Sequence, residues 1–77
     1  MRKIAVLGST GSIGKQTLEV IEKNKDIFNL DLISANSNYK LLAEQANKFQ
    51  PKVVIICDSS KVENLNKLIK NSKIEIF

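Results

Sequence analysis

The sequence predicts an α/β fold built on a parallel sheet, and three observations carry that expectation. Short apolar runs recur along the chain, Ile4-Ala5-Val6-Leu7 and Val53-Val54-Ile55-Ile56-Cys57 being apolar throughout, as parallel strands covered on both faces are. Stretches of helical periodicity stand between the runs, joined to them by short connections. All three glycines of the chain fall within Gly8-Ser9-Thr10-Gly11-Ser12-Ile13-Gly14, directly after the first apolar run.

Residues 3–7 read as the first strand and residues 12–24 as the first helix, with Ile13, Leu18 and Ile21 on or near one side and Lys23-Asn24-Lys25-Asp26 closing it. Ile27 and Phe28 are expected to fold back on the core. Residues 29–35 form the second strand, through Leu30, Leu32 and Ile33. Asn36-Ser37-Asn38 makes a polar turn that caps a second helix over 39–49, whose buried side is Leu42, Ala46 and Phe49. Pro51 stops that helix before the third strand, 53–57. Ser60 and Glu63 have the spacing of a capping box for a third helix over 60–71, with Val62, Leu65, Leu68 and Ile69 apolar. Lys73-Ile74-Glu75-Ile76-Phe77 then alternates as a fourth strand. Strand and helix thus alternate to the end, which with right-handed crossovers gives a parallel sheet with helices on both faces, of Rossmann type. The usual strand order would be 3-2-1-4, placing the glycine-rich turn at the carboxyl end of a central strand. The fourth strand is left with an open edge, so the chain reads as cut short after it, with oligomerisation through that edge a risk.

A strand that ends in a glycine-rich turn and opens into a helix is a phosphate-cradling arrangement. Gly8 permits the tight turn, Gly11 lets a pyrophosphate approach the backbone, and Gly14 allows the helix to pack closely. The helix N-terminus offers free N–H groups and a partial positive charge, and Ser9, Thr10 and Ser12 add hydroxyls. The spacing G-x-x-G-x-x-G departs from the G-x-G-x-x-G of the commonest dinucleotide fingerprint. In NAD-specific folds a carboxylate near the end of the second strand accepts the ribose 2′-OH. Here Ser34-Ala35-Asn36-Ser37-Asn38 holds no acid, and Asp31 lies too early, so NADP is favoured over NAD. Lys40 reads as a solvated helix-face lysine.

Composition bounds the remainder. The chain's 77 residues, 43% hydrophobic and 26% charged, suit one core and one domain. Twelve basic residues against eight acidic ones give +4, spread over helix faces without a basic, aromatic-interleaved stripe, so no nucleic acid is expected. One cysteine excludes an internal disulfide, and the absence of histidine excludes a Cys/His metal site. No stretch suits a signal or membrane span, and a cytoplasmic location is expected. No residue reads as catalytic: Asp58 is most simply a helix cap, Cys57 a small buried apolar residue, and Tyr39 a cover for the surface or for an adenine pocket.

The run Leu7-Gly8-Ser9-Thr10-Gly11-Ser12-Ile13-Gly14, with Thr17-Leu18, Asn24, Phe28, Ala35 to Asn38 and Phe49-Gln50-Pro51, resembles the amino terminus of the 1-deoxy-D-xylulose 5-phosphate reductoisomerases across essentially the whole chain. The resemblance implies an NADPH-dependent oxidoreductase that, with a divalent metal (Mg or Mn), rearranges and reduces a phosphosugar, 1-deoxy-D-xylulose 5-phosphate. The product is 2-C-methyl-D-erythritol 4-phosphate, in the non-mevalonate route of isoprene biosynthesis, and members are typically homodimers. By position, Thr10, Gly11, Ser12 and Ile13 would line the NADPH pyrophosphate and Asn38 would meet the adenosine-ribose phosphate, with Gly8 shaping the turn and further neutral donors in the stretch Asn36-Ser37-Asn38. Many members have Gly-Lys-Asn at the last three positions. Residues 1–77 would be the amino-terminal half of the NADP-binding domain, inactive alone, with catalytic and metal-binding residues elsewhere. The alternatives are the cofactor domain of another G-x-x-G-x-x-G oxidoreductase, such as an aspartate-semialdehyde dehydrogenase or a sugar-nucleotide epimerase, and a non-catalytic nucleotide-sensing module.

Overall fold

The computed structural model describes residues 2–77 as a four-stranded parallel sheet with three α-helices, the α/β Rossmann-type architecture expected. The elements are β1 (Arg2–Val6), α1 (Ser12–Lys23), β2 (Phe28–Ala35), α2 (Tyr39–Phe49), β3 (Val53–Ile56), α3 (Val62–Leu68, preceded by a 3₁₀ turn at Ser59–Lys61) and β4 (Glu75–Ile76).

The strand order corrects one expectation. The neighbours 3-2-1 stand as expected, but β4 lies beside β3 and not beside β1, so the order is β1-β2-β3-β4 and β1 is an edge strand among the described residues. Asn47 of α2 holds the end of α3 from both sides. Its Nδ2 donates to the Leu68 carbonyl at 3.0 Å and its Oδ1 accepts the Lys70 amide at 2.9 Å. These bonds consume groups that a longer helix would have paired internally, which is why α3 stops at Leu68 and not at residue 71. Docked on α2, α3 returns the chain at the near edge, next to β3.

Crossovers that all run the same way across a sheet put their helices on the same face. Side-chain burial shows this and corrects the expectation of helices on both faces: among the described residues all three helices pack on one. Val6, Leu30, Ile33, Ala35, Val54, Ile56 and Ile74 are buried with Leu18 and Ile21 of α1, Leu42, Ala43 and Ala46 of α2 and Leu65 of α3 in one cluster. Leu30 and Ile33 are three residues apart, yet strand residues share a face only at even spacing. The pairing with β1 shifts there, Ile4 opposite Leu30 but Ala5 opposite Leu32, so one extra residue in β2 reverses the alternation. The other face, with Ala5, Leu7, Leu32, Val53 and Ile55, has no helix over it among the described residues.

Smaller corrections follow from the same geometry. Ile13 is 80% exposed, because the buried stripe of α1 is Gly14, Leu18 and Ile21 at i, i+4 and i+7. Ile27 and Leu68 are also exposed. Cys57 is exposed, since it follows the buried Ile56 and points to the opposite face. The Ser60–Glu63 capping box is replaced by Asp58, whose carboxylate accepts the Ser60 hydroxyl at 2.6 Å and the Ser60 amide at 3.1 Å.

Those two Ser60 bonds, with the Lys61 charge behind them, hold the Asp58 carboxyl below its ordinary pKa against the opposing effect of desolvation. A depressed carboxyl stabilises the fold above its unfolded-state pKa, and the contribution is lost as pH falls through the lower, folded value. Replacing Asp58 with Asn should therefore flatten the acid limb of a melting-temperature profile and leave its neutral-pH shape unchanged. An unaltered acid limb would contradict this account of the cap.

Candidate dinucleotide-binding site

The glycine-rich turn leaves β1 at its carboxyl end and delivers the chain into α1. Gly8 has φ +70°, a conformation that strains any residue with a β-carbon. Gly14 is required for a different reason. A β-carbon there would lie 2.3 Å from the Gly8 carbonyl oxygen and 2.6 Å from the Ser9 α-carbon, so α1 packs directly on the turn.

Gly11 obeys neither constraint. Its φ of −77° and ψ of 174° are ordinary, and a β-carbon would meet the Gly8 carbonyl oxygen at 3.4 Å, a normal contact. The fold does not need Gly11 to be bare, yet the residue is exposed at the N-cap of α1. What a side chain there would occupy is the space in front of the helix. The amides of Ser12, Ile13 and Gly14 belong to the first turn, where no helix carbonyl can reach them, and that turn has no acidic residue to offset its partial positive charge. An open cleft of about 480 Å³ lies against this surface, lined by Leu7, Gly8, Gly11, Ser12, Ile13 and Thr17 among others. An anion with close access to backbone amides suits it.

Of the residues read from the sequence, Gly8, Thr10, Gly11, Ser12 and Ile13 come together on the turn. Asn36, Ser37 and Asn38 are exposed just past the carboxyl end of β2, the strand next to β1. The two groups are joined by backbone, the Ser9 amide donating to the Ser34 carbonyl at 2.8 Å. Asn38 already has a local task, its Oδ1 accepting the Leu41 amide at 3.3 Å as the cap of α2. Ser9 is not a free hydroxyl: it is fully buried, donating to Gln45 Oε1 at 2.7 Å. Tyr39 is half-buried against the core, with the Lys61 ammonium 5.8 Å from its ring centre. Among the described residues no group of three His, Cys, Asp or Glu side chains could hold a metal ion.

Two residues at this site escape the sequence reading. Ser34 accepts the Gly8 amide through Oγ at 3.2 Å, and Gln45 is buried beneath the turn. The available signal for Gln45 was its position, i+3 from Leu42 on the apolar stripe of α2, where a polar side chain needs a buried partner.

Residues 4–77 match the family described as 1-deoxy-D-xylulose 5-phosphate reductoisomerase. The chain is 49% identical to the reductoisomerase of Chloroherpeton thalassium over 77 residues, covering all of this chain and 20% of that protein. It is 46% identical to that of Ruthia magnifica over 69 residues, 90% of this chain and 18% of the other. The solved structure of the Zymomonas mobilis reductoisomerase in complex with NADPH superposes with a TM-score of 0.91 at 39% identity, covering 97% of this chain and 20% of that one. The chain thus spans about a fifth of the length of the relatives it matches.

The glycines separate stability from binding. Gly14→Ala should destabilise the fold by about 3 kcal/mol or more, the upper end of what overpacking costs, because its β-carbon meets backbone that cannot move aside. Gly11→Ala should change the melting temperature little while weakening dinucleotide binding. Thermal melts and titrations on both variants check this; equal destabilisation by the two would contradict it.

Proposed function

This chain belongs to the 1-deoxy-D-xylulose 5-phosphate reductoisomerase family, and from that premise we propose that it forms the NADPH-binding part of such an enzyme. The observation that carries the proposal is Gly11, a bare and exposed residue at a helix N-terminus whose lack of a side chain the fold itself does not require. The residues present fit the cofactor: backbone amides of Ser12 and Ile13 would hold its pyrophosphate, helped by Thr10 and the Ser12 hydroxyl, while Gly8 shapes the turn. Asn36, Ser37 and Asn38 would receive the adenosine-ribose phosphate through neutral donors, in a stretch, 34–38, that holds no acid of its own. When bound, NADPH supplies the hydride for the reduction. This chain's own part is to bind and orient it.

In the whole enzyme the reaction is the rearrangement and reduction of 1-deoxy-D-xylulose 5-phosphate to 2-C-methyl-D-erythritol 4-phosphate, a step of isoprenoid synthesis. Residues 1–77 form the amino-terminal half of its NADP-binding domain. The sheet face without helices, carrying Ala5, Leu7, Leu32, Val53 and Ile55, supports that assignment, because such a face is normally covered in a Rossmann domain. The ligands for Mg or Mn and the catalytic residues come from outside this chain, and the active protein is a cytoplasmic homodimer.

Calorimetric titration of the full-length protein with NADPH and with NADH tests the reading. NADPH should bind at least several-fold tighter, and Gly11→Leu should abolish the heat of binding in a protein that remains folded. Equal affinity for the two, or a preference for NADH, would defeat the NADP assignment. The 77 residues alone should show no turnover of 1-deoxy-D-xylulose 5-phosphate.

A further inference from the structure

We propose that Gln45 is a positioning residue for the cofactor site: from α2 it holds the glycine-rich turn in the shape that receives the phosphates. The inference rests on the cofactor reading above. Gln45 is 36 residues from Ser9 in sequence, yet its side-chain amide is spent entirely on that residue. Nε2 donates to the Ser9 carbonyl at 2.8 Å, and Oε1 accepts the Ser9 hydroxyl at 2.7 Å. Both residues are buried, Ser9 at 0% and Gln45 at 7% exposure, so water cannot replace either bond.

The location of the clamp gives it a role beyond packing. Ser9 directly follows Gly8, the residue of positive φ, and only Thr10 separates it from Gly11. Three elements grip the turn from separate directions. Ser34 of β2 takes the Gly8 amide on Oγ and the Ser9 amide on its carbonyl. Gly14 of α1 closes on Gly8 and Ser9 with no room for a β-carbon. Gln45 fixes the Ser9 carbonyl and takes its hydroxyl at 2.7 Å, closer than the Ser34 carbonyl at 3.3 Å. Neither end of the clamp faces the cleft beside Gly11, so Gln45 acts through the turn and not by touching the ligand. A turn fixed before binding spends no affinity on being ordered.

The test compares two α2 variants of the full-length protein. Gln45→Met keeps the length of the side chain and removes both bonds; Leu42→Val trims the core of the same helix and leaves the clamp intact. NADPH affinity is titrated well below each melting temperature, and amide hydrogen exchange is followed across residues 8–14. Gln45→Met should weaken NADPH binding at least tenfold and accelerate exchange in the turn, while Leu42→Val lowers the melting temperature with affinity within twofold of wild type. Affinity within twofold of wild type in folded Gln45→Met, or an equal loss in Leu42→Val, would overturn the positioning role and leave the cofactor reading standing. Failure of the wild-type protein to bind NADPH would defeat that reading and this inference together.

Discussion

A helix can sit this close to the turn that feeds it only if its third residue has no side chain. At Gly14 a β-carbon would fall 2.3 Å from the Gly8 carbonyl oxygen, and the rest of the amino-terminal architecture depends on that contact. It aims the first turn of α1 across the exposed surface of Gly11. It also presses Ser9 inward, where its polar atoms must find protein partners and do so on Ser34 and Gln45. The turn is therefore a junction of β1, α1, β2 and α2, and not a flexible connection between the first two.

Much of the fold was legible because its signals are local. The helix over 39–49 was read to the residue, since Asn38 caps it and Pro51 follows it. The neighbours 3-2-1 were legible from the short crossovers, but the place of β4 was not: it follows α3, whose end Asn47 ties to α2, and pairs with β3 by a short return that hydrophobic periodicity does not encode. The bulge in β2 was equally hidden, because Leu30, Leu32 and Ile33 read as a plain apolar run whichever face each takes. The continuous apolar strands did announce cover on both faces, and among the described residues the helices supply it on one.

At the site, the glycines and the acid-free end of β2 could be read directly, because each marks something missing: a side chain or a charge. What could not be read is which polar side chains support the turn. Ser34 and Gln45 look like ordinary strand and helix residues until the fold brings them within about 3 Å of Gly8 and Ser9. Ser9 shows the reverse error, a hydroxyl that looked available to a ligand and is wholly engaged inside the protein. Ile13 reads as lying on or near the side of Leu18 and Ile21, but it stands exposed beside Gly11, one step of the helix away from the buried stripe.

Gripped by β2, α1 and α2, the turn on this reading is built before the dinucleotide arrives. A crystal structure of the full-length protein with NADPH, beside one without it, tests this most directly. The backbone of Gly8–Gly14 and both Ser9–Gln45 hydrogen bonds should be unchanged between the two, with the pyrophosphate against Gly11 and the first amides of α1. A turn that refolds around the cofactor, or a pyrophosphate seated away from Gly11, would contradict it.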